Sequence, residues 1–325
     1  MQNSDETTLI HIVLAANHKY LPGLLVTLSS IARSSSDKKR LRFHIISDNL
    51  SDEDKKTVFN VASRFGASRP EITEADYSQV AIHFSDEHYP YIVFLRLFYC
   101  EMFDFDWVLH ADVDTLWLRD VCELWSLRDN SKSVLWCRDI PAIARGVKAY
   151  SKWNPDFDEE RYCCAGVMLM NLRKMRETDF PHKSISFVKK WGTPLFVDQD
   201  IINFICRDDK GILPQHWDCM MPTKTAIDGV VYHVSHISQM FNDKYCGWQP
   251  LQYPWFRYYY DFILGKPHKA VCGLHKRLFH WLIGTFYPSR RLSHILAAKM
   301  PDNSKDSVYR QIFFAWLWRH AKWRW

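Results

Sequence analysis

Apolar residues in this chain arrive in short runs separated by amphipathic stretches. Residues 9–16 (Leu-Ile-His-Ile-Val-Leu-Ala-Ala) read as a first buried strand, and the apolar stretch 21–31 that follows reads as a helix. Residues 41–46 repeat the strand pattern. Ser51 with Asp54 three positions on resembles a capping box, with Asp in place of the preferred Glu or Gln, and opens a helix through about residue 65. A helix over 93–102 leads into the apolar run 107–117, and 133–137 is the next strand. Residues 165–172 read as a buried strand entering a basic helix, and 195–197 lead into Asp198-Gln199-Asp200 at the start of the apolar stretch 201–205. This alternation predicts an α/β fold with a mostly parallel central sheet. Near residues 250–267 the pattern yields to aromatic, proline-punctuated sequence, which predicts a boundary between a domain 1–265 and a helical, basic and aromatic appendage 266–325.

The run 107–117 carries two carboxylates, Asp112 and Asp114. On a strand that spacing points both side chains to one side, where they can grip a hard divalent cation and a phosphate at the strand's carboxyl end. The same spacing recurs at Asp104/Asp106, Asp156/Asp158 and Asp198/Asp200, but only Asp112/Asp114 closes a strand-like run. A solvated turn is the plainer reading of any single copy.

With 47% apolar and 15% aromatic residues, a chain of 325 residues can bury a substantial core. Nine cysteines without a C-x-x-C pair, an odd number, argue against a complete disulfide framework and for a reducing compartment. The polar, acidic residues 1–6 do not resemble a secretory signal, and no uncharged run approaches the roughly 20 residues of a membrane span, so the expected location is cytosolic. Charge is unevenly spread. Residues 266–325 hold twelve Lys and Arg against Asp302 and Asp306, a net +10; with +5 overall, residues 1–265 carry −5. Basic residues beside Trp281, Trp316, Trp318, Trp323 and Trp325 suit anionic lipid headgroups, so the tail is read as a membrane-surface docking element; packing of its aromatics on the main domain or a partner is the competing reading. No nucleic-acid-binding signature accompanies the charge.

An ordered set of segments gives the chain a resemblance. Leu14-Ala15-Ala16 with Tyr20, then Arg96, Asp112-Val113-Asp114, Ala165-Gly166-Val167 continuing to Asn171-Leu172, Asp198-Gln199-Asp200 with Asn203, and a late histidine segment together resemble glycosyltransferase family 8, the retaining group that contains bacterial lipopolysaccharide glucosyl- and galactosyltransferases and glycogenin. The resemblance covers about residues 9–250. It implies a Rossmann-like nucleotide-sugar-binding domain of the GT-A type, a UDP-hexose donor, and manganese, with magnesium as the competing ion.

By resemblance Asp112 and Asp114 hold the metal, and a third ligand comes from the histidine segment, with His236 favoured over His233. Ala15, Asn17, Tyr20, Arg96, Asp112, Val113, Asp139, Cys164, Ala165 and Lys244 are the implied donor contacts. Asp198 orients donor hydroxyls and Gln199 faces the anomeric carbon, with double displacement and front-face attack both open. A core histidine and a helix-capping Asp198 are the plainer alternatives. Three departures stand out: Asn17 where an acidic residue is common, Cys164 where Asn often precedes Ala-Gly, and a histidine segment only loosely of the family's form. The implied activity is transfer of glucose or galactose to a saccharide hydroxyl of a glycolipid such as a lipopolysaccharide core, in a bacterial enzyme on the inner face of the cytoplasmic membrane. A glycogenin-like protein glucosyltransferase and a catalytically degenerate binding protein are the alternatives.

Overall fold

Strand β1 (Ile10–Asn17) hydrogen-bonds in parallel to β2 (Leu41–Asp48) on one side and to β4 (Trp107–Ala111) on the other, and β2 pairs in parallel with β3 (Glu71–Glu74). This is a computed structural model, which describes residues 9–84, 89–150, 157–220, 229–233, 255 and 258–265. Beyond β4 come β7 (Cys163–Asn171), β6 (Val134–Arg138) and β8 (Lys210–Ile212), completing a seven-stranded sheet in the order β3-β2-β1-β4-β7-β6-β8. β7 runs antiparallel to both neighbours, while β8 is parallel to β6. The remaining strands, β5 (Thr115–Trp117) and β9 (Val231–His233), form an antiparallel pair beside the sheet.

Chain order explains where a ligand can bind. From β1 the chain moves outward through β2 and β3, then returns to the other side of β1 as β4. The crossovers therefore part at β1 and β4, opening a crevice at their carboxyl ends, where open α/β sheets bind ligands. Asn17 ends β1, and Asp112 directly follows β4. Because β7 is antiparallel, its first residues reach the same edge: Val167 pairs with Ala111, and the Asp112 amide donates to the Gly166 carbonyl at 2.7 Å.

β7 is buried at all nine positions because both faces of the sheet are covered. Val167 and Leu169 join the core under the helix Leu21–Ser34, while Met168 and Met170 join the core on the opposite face with Phe94, Leu97 and Ile201. That two-sided burial is why the segment reads as an unbroken apolar run. The helix Asp52–Arg64 starts with the expected capping box: the Asp54 amide donates to Ser51 Oγ, and the Ser51 amide donates to Asp54 Oδ2. Arg96 lies on a 3-10 helix, Tyr91–Phe98, rather than an α-helix, with one α-turn following at Tyr99–Met102.

A third cluster holds the end of the described chain to this body. Trp255 and Tyr258 pack with Val26, Leu116 and Tyr232, and the Arg64 guanidinium donates to the carbonyls of Phe262 and Ile263. The predicted appendage 266–325 lies outside the described residues. Among the described residues the seven cysteines are free thiols, and no helix is long and apolar enough to cross a membrane.

Candidate active site

The acidic pair does not sit on a strand. β4 ends at Ala111 and β5 begins at Thr115, so Asp112, Val113 and Asp114 form the connecting turn. Thr115 closes it by donating its amide and its hydroxyl to the Asp112 carbonyl, at 3.3 and 2.8 Å. The Val113 carbonyl lies against Gly23, where an added Cβ would come within 2.2 Å of it, so glycine lets the turn rest on the helix Leu21–Ser34. The i, i+2 spacing thus brings the carboxylates together through a tight turn, not through the strand pleat.

Strand pairing supplies the histidine. Thr115 is the register partner of His233, which sets the imidazole beside Asp114. His233 Nε2 is 3.2 Å from Asp114 Oδ1 and 3.9 Å from Asp112 Oδ2, and the three side chains are close enough to share one ion. Gly166 leaves room for the ring: a Cβ there would lie 2.3 Å from His233 Cε1. His236 and Lys244 lie outside the described residues.

Each carboxylate oxygen has a distinct fate. Asp112 Oδ1 accepts from Arg96 Nη2 at 2.9 Å and from His110 Nε2 at 3.0 Å, which leaves Oδ2 facing His233. Asp114 Oδ1 is buried, with His233 Nε2 at 3.2 Å and no partner in hydrogen-bonding geometry among the described residues. A buried carboxylate oxygen of Asp114, a second one from Asp112 held toward the same point, and the His233 imidazole nitrogen make a mixed O/N donor set that fits a divalent cation such as Mn2+ or Mg2+.

The electrostatics are organised around that point. Burial pushes the Asp112 carboxyl up, but the Arg96 guanidinium and the His110 hydrogen bond outweigh it, so Asp112 stays ionised well below the usual range. His110 is held at about 4 by burial and by Arg96, so it is a neutral ring that donates from Nε2 to Asp112 and faces the Tyr99 hydroxyl through Nδ1 at 3.2 Å. Burial would lower His233, yet Asp114 and Asp218 hold it well above its ordinary value.

Arg96 joins this cluster to the predicted sugar-binding residues. It is 8% exposed, donates to the Ala165 carbonyl at 3.0 Å, and sets Nε 3.2 Å from Asp198 Oδ2. Burial raises the Asp198 carboxyl to about 6, with Arg96 opposing. Asp198 and Gln199 open the helix Val197–Ile205, and Val197 before them has φ 25°, a strained conformation for a β-branched residue of the kind found at functional sites.

The Gln199 amide is fixed from both ends. Its Oε1 accepts from the Ala165 amide at 2.9 Å, and its Nε2 donates to Asp139 Oδ2 and to the Tyr162 hydroxyl, each at 2.8 Å. Tyr162 donates in turn to Asp200 Oδ1 at 2.6 Å, and Asn203 holds both backbone groups of Cys163. Burial raises Asp139 to about 7. Cys164 points inward, its Sγ 3.7 Å from His233 Nδ1. At the β1 end Asn17 Nδ2 donates to Asp48 at 3.3 Å while its Oδ1 is buried without a partner among the described residues; Ala15 and Tyr20 are half-buried nearby on the chain.

Sequence reasoning missed Asp218, His110 and Tyr162 as site residues. Neither Asp218 nor Tyr162 lies in a recognisable motif. His110 has one visible signal, its place two residues before Asp112 at the carboxyl end of the strand.

The fold is similar to that of GT-A glycosyltransferases. Residues 11–241 match glycosyl transferase family 8, so the chain belongs to that family. It is 27% identical over 203 residues to a Haemophilus influenzae protein assigned as a glycosyltransferase, an alignment covering 61% of this chain and 59% of that one. It is 25% identical over 206 residues to glycosyltransferase GlyA of Streptococcus pneumoniae serotype 4, covering 63% of this chain and 27% of the relative. The chain thus spans less than two thirds of either relative's length. Among solved structures, the bifunctional glycosyltransferase WbbM superposes with a TM-score of 0.63 at 18% identity, over 83% of this chain and 52% of that one. The galactosyltransferase LgtC, solved with donor and acceptor sugar analogs, superposes with a TM-score of 0.58 at 22% identity, over 70% of this chain and 87% of that one.

Proposed function

We propose that the chain is a metal-dependent retaining hexosyltransferase that moves glucose or galactose from a UDP-sugar to a saccharide hydroxyl. The observation that carries this reading is the convergence of Asp112, Asp114 and His233 at the carboxyl edge of β4 in a family 8 chain. A divalent cation bound there would offset the charge that grows on the diphosphate as the sugar–phosphate bond breaks. His233, which shares the pocket with both carboxylates, is the third ligand in this reading, in place of His236.

The protein's own groups do the rest. Arg96 holds Asp112 and Asp198 in one charge-compensated array, so both carboxylates stay oriented before any ligand arrives. Asp198 Oδ2, ion-paired with Arg96 Nε at 3.2 Å, accepts from a donor hydroxyl through its remaining lone pair. Gln199, locked by Ala165, Asp139 and Tyr162, presents a fixed dipole at the anomeric face. The buried Asn17 Oδ1 accepts from an N–H of the base, which suits uracil without the acidic residue common at that position. Lys244 contacts the diphosphate.

The acceptor in this reading is a glycolipid such as a lipopolysaccharide core, and the +10 tail brings the enzyme to an anionic membrane surface. Deleting residues 268–325 should then abolish binding to anionic vesicles at low salt, and unchanged binding rules the tail out. The activity itself is tested by UDP release from a panel of UDP-sugars, with Mn2+ and with chelator. Release that needs Mn2+ and favours one hexose supports the reading and names the donor. No release together with no UDP binding supports a degenerate, non-catalytic member.

A further inference from the structure

Asp218 is a fully buried carboxylate on a short loop, and its position has no counterpart among the residues the sequence pointed to. Its Oδ1 lies 3.0 Å from His233 Nδ1 and its Oδ2 is buried without a hydrogen-bond partner among the described residues. Isolating a carboxylate in this way opposes folding unless the group holds a partner in place. The backbone fixes it firmly. The Asp218 amide donates to the Gln215 carbonyl at 3.2 Å, Gln215 Nε2 donates to the Asp218 carbonyl at 2.8 Å, and the next residue bonds β9 twice, through Cys219 N to Val231 O and His233 N to Cys219 O.

We infer that Asp218 is the positioning residue for His233: by accepting the Nδ1 proton it fixes the tautomer and the ring plane, so that the Nε2 lone pair faces the point shared with Asp112 and Asp114. A carboxylate beside a histidine can only accept, so Nδ1 keeps its proton toward Asp218, while Nε2, which faces Asp114 at 3.2 Å, gives up its proton on binding a cation between the two carboxylates. Metal-bound histidines are ordinarily steered in this way through their second nitrogen. Gly166 completes the arrangement, because the face of the ring rests where any side chain at that position would be. The inference rests on the metal-dependent reading above.

One other arrangement uses the same atoms. Cys164, Asp218 and His233 are also near enough to hold an ion between them. There Nδ1 would be the ligand and the proton would move to Nε2, turning His233 away from Asp112 and Asp114. The two arrangements therefore differ in which ring nitrogen carries hydrogen.

The experiment is Mn2+ titration of the full chain, followed by electron paramagnetic resonance, for wild type, Asp218→Asn, Asp218→Ala, His233→Ala and the Asp218→Asn/His233→Ala double variant, with thermal unfolding in chelator alongside. Asp218→Asn should weaken Mn2+ about 10-fold and Asp218→Ala about 100-fold, the usual range for losing such a partner. The double variant should bind no worse than His233→Ala alone, because Asp218 acts only through that ring. Additive losses, or wild-type affinity in Asp218→Ala, overturn the inference while leaving the metal site standing. A wild type that binds no Mn2+ overturns the site reading itself. Independently of any variant, 15N spectra of the wild type saturated with Mg2+ should show His233 protonated at Nδ1, and protonation at Nε2 refutes the proposal.

Discussion

Two histidine clusters lie at opposite ends of the central parallel strands, and they treat the imidazole in opposite ways. Near the start of β1, His11 stacks on Phe105 with ring centroids 3.9 Å apart, and its Nδ1 lies 3.0 Å from His44 Nε2. Burial, then the charges of His44 and Arg42, lower His11 to about 4, so the ring is a neutral packing element. At the carboxyl edge His233 meets Asp112, Asp114 and Asp218, whose charges raise it. The residue type is the same in both places. What differs is the surroundings: aromatic rings at one end, unsatisfied acceptors at the other. The contrast shows that a histidine's chemistry here is set by the groups it meets: His110, at the same carboxyl edge as His233 but beside the Arg96 guanidinium, is held at about 4 like His11.

The strongest way to break this contrast is to remove the cation that compensates the acidic edge. Arg96→Met leaves the buried Asp198 and the half-buried Asp112 without their shared partner and should destabilise the protein by about 3 kcal/mol in metal-free buffer. Denaturant unfolding measures it, and a loss below about 1 kcal/mol would mean the carboxylates are solvated rather than paired.

Asp114→Asn keeps the shape of the turn but gives up the anionic oxygen beside His233. Mn2+-dependent UDP binding by calorimetry should fall at least 100-fold, about 2.8 kcal/mol; a wild-type affinity refutes Asp114 as a ligand. Gly166→Ala drives a methyl into the His233 ring and should cost about 1–3 kcal/mol by overcrowding, with weaker Mn2+ binding. A variant as stable and as tight as wild type would show that the ring has room to move.

The smallest effect belongs to the other cluster. Because the folded state holds His11 below its unfolded value, the stability it contributes is complete above about pH 6.5 and declines as pH falls toward 4. His11→Phe should remove part of that acid loss, on the order of 1 kcal/mol given the ring's partial exposure. Melting temperatures at pH 7 and pH 4.5 decide: an unchanged acid shift places the sensitivity elsewhere.

The local grammar of the chain was legible before any coordinates. β1, β2 and β7 appear as apolar runs because each is buried where it crosses the core, and the Ser51/Asp54 cap is a contact between residues three apart. Asp112, Asp114, Asp198 and Gln199 were visible because each pair is contiguous or nearly so. The placement of His233 beside Asp114 was not, because it turns on the β5–β9 register, in which Thr115 pairs with His233. The same reason hid Asp218 and Tyr162, whose roles come from hydrogen bonds to residues distant in sequence. Periodicity and spacing report what a residue does to its own element, and they carried the strands and helices, while the family resemblance rested on an ordered set of motifs. Tertiary structure alone decided which carboxylate oxygens remain unsatisfied, since that depends on every group converging on the edge at once.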